Sequence, residues 1–339
     1  MSPSQHSRGT YSACTPPRST VFSVVAFTRC SEHAAQDRIP ALRLASSARR
    51  LCRCCLAAAA LVRGRGARLL VRRAREVLEL FVALAPTRVS SPVPHLSLLL
   101  HNDCRYLAHA CLTLPLPYHA RLDAAAAADA TLVSLVEPLR ALAAATLRAA
   151  LHAQSAALLS TLRRAEGFVS VGEDEAAGAA AQRATHQLVR ELALLRPQWC
   201  ETLPRGVALS SVSRLAEAVL RPLYESLVAL RHISERDSRA LHKVLSFLLP
   251  ACEQLLSAAA RSPLDGRCEH LVPSLRRCRQ LGRLLDARLA EVVAWWGEGE
   301  LDAISARDLL VLLRAIWNEE ALLANAREMH RALVTEAAL

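Results

Sequence analysis

The first sixty or so residues carry no hydrophobic period that survives one helical turn, whereas from about residue 67 onward a 3.6-residue period persists. Val77, Leu78, Leu80, Phe81 and Leu84 make one apolar face, closed by Pro86 and again by Pro92 and Pro94. Leu96 to Leu114 reads as the next helix, ended by Pro115 and Pro117. Apolar positions from Leu132 to Leu162 hold a helical stripe, and Pro138 is expected to kink or divide it near its start. Gly167 and Gly172 open a loop in which Glu173, Asp174 and Glu175 precede a helix, where carboxylates complement the positive end of the helix dipole. Helices follow over about 175–195, 208–231 and 236–256, the last opened by Ser234 and Asp237 in capping-box spacing. After a polar break at Pro263, Gly266 and Pro273, one helix runs to Trp295-Trp296 and stops at Gly297-Glu298-Gly299-Glu300. Ser305 with Asp308 opens the last helix, whose apolar positions run from Leu309 to Leu323. No fixed-length repeat relates these helices.

Composition points the same way. Ala and Leu dominate while aromatic residues are 4%, which feeds helices and starves a sheet, so the fold class is all-α. The chain of 339 residues is long enough for two domains of about 100–200 residues. Residues 67–196 and 197–339 read as two helical bundles, and 1–66 as a basic low-complexity segment, disordered or a mis-started reading frame, outside the packed fold. A mean hydropathy of +0.19 invites a membrane assignment, yet no stretch approaches the roughly 20 uninterrupted apolar residues of a spanning helix. The longest such run near the start, Cys55 to Val62, is stopped by Arg63.

The net charge of +11 is local. Residues 1–75 hold 14 arginines against two acids, Glu32 and Asp37, while the remaining 28 basic and 29 acidic residues nearly cancel. Nucleic-acid or anionic-membrane binding through 49–75 is therefore an alternative function. Against it, Lys243 stands alone among 41 arginines, a bias that fits genome composition better than a selected surface.

Chemistry is hard to find. Eleven cysteines without repeating spacing predict free thiols in a reducing compartment. Cys52, Cys54 and Cys55 lack the second ligand pair of a tetrahedral site, and on one helix His101, Cys104 and Cys111 share a face that His109 leaves. Phosphate-loop, nucleophile-elbow, HExxH and dinucleotide motifs are absent, His186, His232 and His242 lack partners at i+4, and Glu319 and Glu320 diverge on a helix. No catalysis, metal or cofactor is expected. The four tryptophans lie in the last 141 residues, and core packing is their plain account. Successive helical residues sit about 100° apart, so one ring of the Trp295-Trp296 pair is expected to face outward. Trp295, Trp296 and Trp317 are the candidate partner-binding residues.

At His101-Asn102-Asp103-Cys104-Arg105-Tyr106-Leu107-Ala108-His109, followed by Leu112-Thr113-Leu114, the sequence resembles the centromere/kinetochore protein family named after the fly zeste-white ten gene. Glu79-Leu80-Phe81 with Pro86 looks like the family's "ELF…P", and Ala130 to Pro138 like its "ATFVDLVP" helix. Arg164-Ala165 with Phe168, Trp199 with Leu203-Pro204, Leu230 with Ile233-Ser234, and Trp296 with Gly299 follow in the family's order. Leu313-Arg314-Ala315 with Asn318 resembles its "LIRALFQN". The resemblance covers about residues 67–335. Near 257–275 the family has a longer link ending in Pro-x-Trp, where this chain has Pro273-Ser274-Leu275.

The resemblance implies the C-terminal part of a much longer, non-enzymatic subunit built of elongated, stacked helical bundles of the multisubunit vesicle-tether type. It implies docking on a Rod-type large helical subunit with Zwilch at unattached kinetochores. There the complex supports the spindle checkpoint and recruits dynein–dynactin through an adaptor. In interphase it implies counterpart subunits of a tether for Golgi-to-endoplasmic-reticulum vesicles that engages SNAREs. The expected locations are cytoplasm, the kinetochore in mitosis and, peripherally through the complex, the endoplasmic reticulum membrane, with no direct DNA binding.

Overall fold

The computed structural model describes residues 43–88, 94–264 and 267–317, and every regular element among them is helical. α1 (Arg43–Ala59) and α2 (Arg65–Arg88) pack as an αα-hairpin. α1 buries Ala45, Ala48, Cys52, Leu56 and Ala59; α2 buries Ala67, Val71, Ala74, Leu78, Phe81 and Ala85. These positions recur every three or four residues, and most are small, so the two backbones approach closely enough for the Cys52 thiol to donate to the Ala74 carbonyl at 3.2 Å.

The packed fold therefore begins by residue 43, which corrects the expectation of a low-complexity segment through 66. The seam of α1 is Ala45, Ala48, Cys52 and Ala59 with Leu56 its one leucine among the described residues, and its outer face is rich in arginine, so a search for Leu stripes passes over it. In α2, Leu78 and Phe81 are buried as expected, but Leu80 and Leu84 are more than half exposed on the opposite side. Pro86 lies inside the helix, two residues before its end.

α3 (Pro94–Thr113), the short α4 (Leu116–His119) and α5 (Ala124–Asp129) lead through a 3₁₀ turn at Val133–Leu135 into α6 (Val136–Arg163). Pro138 does not kink α6. It is the third residue of the helix, where the backbone N–H has no intrahelical acceptor to lose. Asp123 caps α5, accepting from Ala126 N–H at 2.8 Å and from Gly64 N–H at 2.7 Å, which ties α5 to the α1–α2 turn. These two backbone donors hold its carboxyl below the usual range.

α7 (Glu175–Leu195) starts at Asp174, whose side chain accepts from Ala176 N–H, so the acidic run is a helix start as predicted. A π-helical turn at Arg196–Cys200 carries the fully buried Trp199. α8 (Arg205–Val228) and α9 (Glu235–Ala260) follow, α9 with the predicted capping box. The helix expected to end at the tryptophan pair is instead α11 (Pro273–Asp286) and α12 (Leu289–Gly297), preceded by the single turn α10 (Cys268–Leu271). Ala287 and Arg288 are extended between them, and Glu291 accepts the Arg288 N–H at 2.8 Å. Ser305 caps α13 (Ala306–Ile316); Leu322, Leu323 and Asn318 lie outside the described residues.

Two apolar clusters result. The first joins α1, α2, α3, α5 and the front of α6 as far as Ala143; the second runs from Ala150 at the back of α6 through α13 and includes Leu98 of α3. The divide falls within α6, ahead of the 196/197 boundary expected from the sequence. Two segments, 124–163 and Glu235–Ala260, reach the length and mean hydropathy of a membrane-crossing helix. Their apolar character comes largely from Ala and Leu, and α9 lines the second cluster with Leu241, Leu245, Leu248 and Leu256.

Polar pegs fix the packing. His101 is buried in α3 and donates from Nδ1 to the Ala143 carbonyl of α6 at 2.8 Å, and Asn102 donates to the Thr202 carbonyl at 2.7 Å. At the start of α9 the buried Asp237 accepts from Gly172 N–H at 2.7 Å and from the Ser234 hydroxyl at 2.9 Å. A Cβ on Gly172 would sit 2.3 Å from the backbone carbon of Arg236, so only glycine allows this approach. Gly172→Ala is expected to cost about 1–3 kcal/mol, read from the denaturant midpoint. Burial lowers the His101 pKa from its ordinary 6.5, so the native state holds the ring neutral while the unfolded chain takes up a proton. Stability is therefore full above 6.5 and falls as pH drops below it. A Tm series from about pH 7.5 to 5.5 should show this fall, and His101→Gln should flatten it.

Candidate interaction surfaces

The candidate tryptophans sit at the rim of the second cluster. Trp295, Trp296 and Trp317 all pack against it partly buried, and neither member of the adjacent pair faces fully outward. Val292 and Leu289 point α12 inward, so the two rings straddle the boundary between core and solvent. The Arg283 guanidinium covers Trp295 at 4.3 Å from the ring centroid and pairs with Glu300 at 2.6 Å.

Sequence reasoning missed the residue that organises this rim. Gln280 of α11 is buried and uses its whole amide: Nε2 donates to the Glu300 carbonyl and to Asp302 Oδ1, both at 2.8 Å, and Oε1 accepts from Ala303 N–H at 3.0 Å. The loop after α12 is thereby held on α11, where Arg276 also pairs with Asp302 at 2.7 Å. α13 is tied by Ile233 N–H to the Ala315 carbonyl at 2.8 Å and by the Tyr224 hydroxyl to Asp308 at 3.1 Å. Burial, then the Asp308 charge, push the Tyr224 phenol far above its usual range, so it stays a donor. A lone glutamine in a basic helix gives no sequence signal.

Two concave surfaces are basic. A groove of about 790 Å³ beside α7 is lined by Arg164, Arg183, His186 and Arg190, and the His186 ring lies 5.5 Å from the exposed Phe247. A recess of about 150 Å³ lies between Arg49, Arg50, Arg53 and Tyr106, with the Arg49 guanidinium 5.2 Å above the Tyr106 ring. Exposed apolar side chains concentrate on the α1–α2 hairpin, at Leu51, Leu61, Val62, Leu69, Leu80 and Leu84. Positions 69, 80 and 84 share one outward stripe of α2.

Seven of the nine described thiols are buried, while Cys54 is exposed and Cys55 half-buried. The nine described cysteines are free, and burial pushes Cys52, Cys104 and Cys252 up to about 12 and Cys111 and Cys200 up to about 11, far from a reactive thiolate. Among the described residues no three His, Cys, Asp or Glu side chains gather as metal ligands. His101 serves the fold, and His242 meets the Gly282 carbonyl at 2.9 Å.

Fold and surface together define an all-α protein whose polar side chains join helix to helix. Comparison with known families gives that class a name. Residues 42–160 match the family described as "Centromere/kinetochore protein zw10, C-terminal", and residues 183–327 match "ZW10 C-terminal helical domain". The chain belongs to the zw10 family and carries its C-terminal region. The match starts at 42, one residue before α1, in agreement with the packed hairpin. Among relatives, the rat centromere/kinetochore protein zw10 homolog is 25% identical over 254 residues, 72% of this chain and 33% of its own length. The Arabidopsis thaliana homolog is 24% identical over 232 residues, 67% and 31% of the two lengths, and the Drosophila melanogaster protein 25% over 207 residues, 61% and 26%. The chain thus spans about a third of the length of the curated relatives it matches.

Gln280→Ala removes the bonds of a buried amide to the Glu300 carbonyl, Asp302 and the Ala303 N–H and should cost about 1–3 kcal/mol by chemical denaturation. It should also shift Trp295 fluorescence as the loop leaves α11.

Proposed function

We propose that this chain is a non-enzymatic scaffold of the kinetochore, the C-terminal helical part of a zw10-type subunit. The observation that carries this is the ordered match of two zw10 C-terminal family models over residues 42–160 and 183–327. Relatives from rat, plant and fly bear the name centromere/kinetochore protein. The packing agrees with a scaffold, because described polar groups such as Gln280, Asp237 and Tyr224 are spent on holding helices together.

Its partner is a Rod-type large helical subunit, with Zwilch, in stacked helical bundles of the vesicle-tether type. Through them the chain supports the spindle checkpoint and the recruitment of dynein–dynactin by its adaptor. In interphase it joins the counterpart tether at the endoplasmic reticulum membrane, where SNAREs are engaged during retrograde transport. The outward stripe Leu69, Leu80 and Leu84 of α2 offers apolar surface for such a contact.

The test is retention of a Rod-type subunit and Zwilch on the immobilised full chain. Stoichiometric retention is expected, weakened about tenfold by Leu80→Asp/Leu84→Asp, a change of about 1.4 kcal/mol. Failure to retain the Rod-type subunit, where the matching region of the rat relative retains it, overturns the proposal.

A further inference from the structure

The turn between α1 and α2 combines two features that the helix packing does not require. Ala60 to Gly64 close the hairpin, with Leu61 N–H on the Ala58 carbonyl at 3.0 Å and Gly64 in the left-handed region at φ +64°. At its tip Leu61 is 87% exposed and Val62 45%, although each could have been polar without loss to the core. Around them residues 43–75 contain ten arginines and no acid. Arg50, Arg53, Arg63, Arg65 and Arg72 make no ion pair among the described residues, whereas Arg68 is taken by Asp129 at 2.9 Å. Asp123, the other acid at the tip, is occupied by the N–H groups of Gly64 and Ala126.

We propose that this turn is a contact for an anionic phospholipid surface: Leu61 and Val62 enter the headgroup–acyl boundary while Arg53, Arg63, Arg65 and Arg72 face the lipid anions. Aliphatic side chains gain from leaving water for hydrocarbon, and arginines gain from the negative surface, so each feature needs the other. A nucleic acid would use the arginines but give Leu61 and Val62 nothing to enter, and the turn has no aromatic ring for base stacking. Asp123 and Asp129 hold the turn in place, so it is presented on a fixed base. This site is independent of the scaffold assignment, because it needs no partner subunit.

The test is co-flotation of the full chain with vesicles of about 70:30 phosphatidylcholine:phosphatidylserine, against phosphatidylcholine alone. Binding is expected only to the anionic vesicles, and it should weaken as salt rises. Leu61→Ser/Val62→Ser and Arg63→Glu/Arg65→Glu should each lower partitioning about tenfold with helicity and Tm unchanged, since all four residues are exposed. A Leu61→Trp variant should be quenched by brominated lipid beyond the level of the native tryptophans. No binding to anionic vesicles overturns the proposal, as does unchanged binding of the serine variant. So does duplex DNA displacing the vesicles while the serine variant binds DNA as the parent does, which marks a nucleic-acid surface. Failure of the Rod-type pull-down leaves these readings untouched.

Discussion

The rest of the structure depends on α6. At 28 residues it is about 42 Å long, and its front half closes the first apolar cluster while its back half opens the second. α3 lies along it as the most extensive helix pair in the fold, buries Leu100 and Leu107 in the first cluster and contributes Leu98 to the second. The His101 bond to Ala143 stands at the changeover, where α6 passes from one cluster to the other. A protonated His101 would place a charge at that junction, which is the physical reason the fold is expected to lose stability in acid.

Buried polar side chains elsewhere play the same part. Asp237 collects donors from Ser234 and Gly172, joining the loop before α7 to the start of α9. Gln280 does so between α11 and the loop that follows the tryptophan pair. In an all-α fold the apolar contacts between helices are non-directional, so burial alone specifies register less sharply than a hydrogen bond does. A buried amide or carboxylate with its partners fixed permits only one register. These are the sites at which small substitutions should be costly, whereas surface ion pairs such as Arg221–Glu225 contribute little.

A zw10 C-terminal region built this way has surface to spare. The hairpin α1–α2 buries mostly alanine, with Cys52, Leu56, Val71, Leu78 and Phe81 among it, and leaves further leucines outside together with the arginines. Helices that pack through small residues need little apolar volume between them, so an exposed Leu80 or Leu84 is not explained by the hairpin seam.

Much of the fold was legible in the sequence. Period, prolines and caps located α3, α6, α7, α8 and α9 within a few residues, because Leu stripes and Ser234–Asp237 spacing are local signals. The ordered short motifs also pointed to the family that the comparisons established. Three things were not legible. α1 was hidden by a seam of Ala and Cys with a single leucine, Leu56; Pro138 looked like a kink until the 3₁₀ turn before it made it part of the first helical turn; and the α11–α12 break at Ala287 depends on Glu291 reaching Arg288. The sequence by itself determined helix content, the local charge and most helix ends, since these depend on neighbours within a turn or two. Only the tertiary structure decided that both rings of the tryptophan pair are partly covered, which glutamine is buried and which leucines are left in water, because each depends on residues distant in sequence.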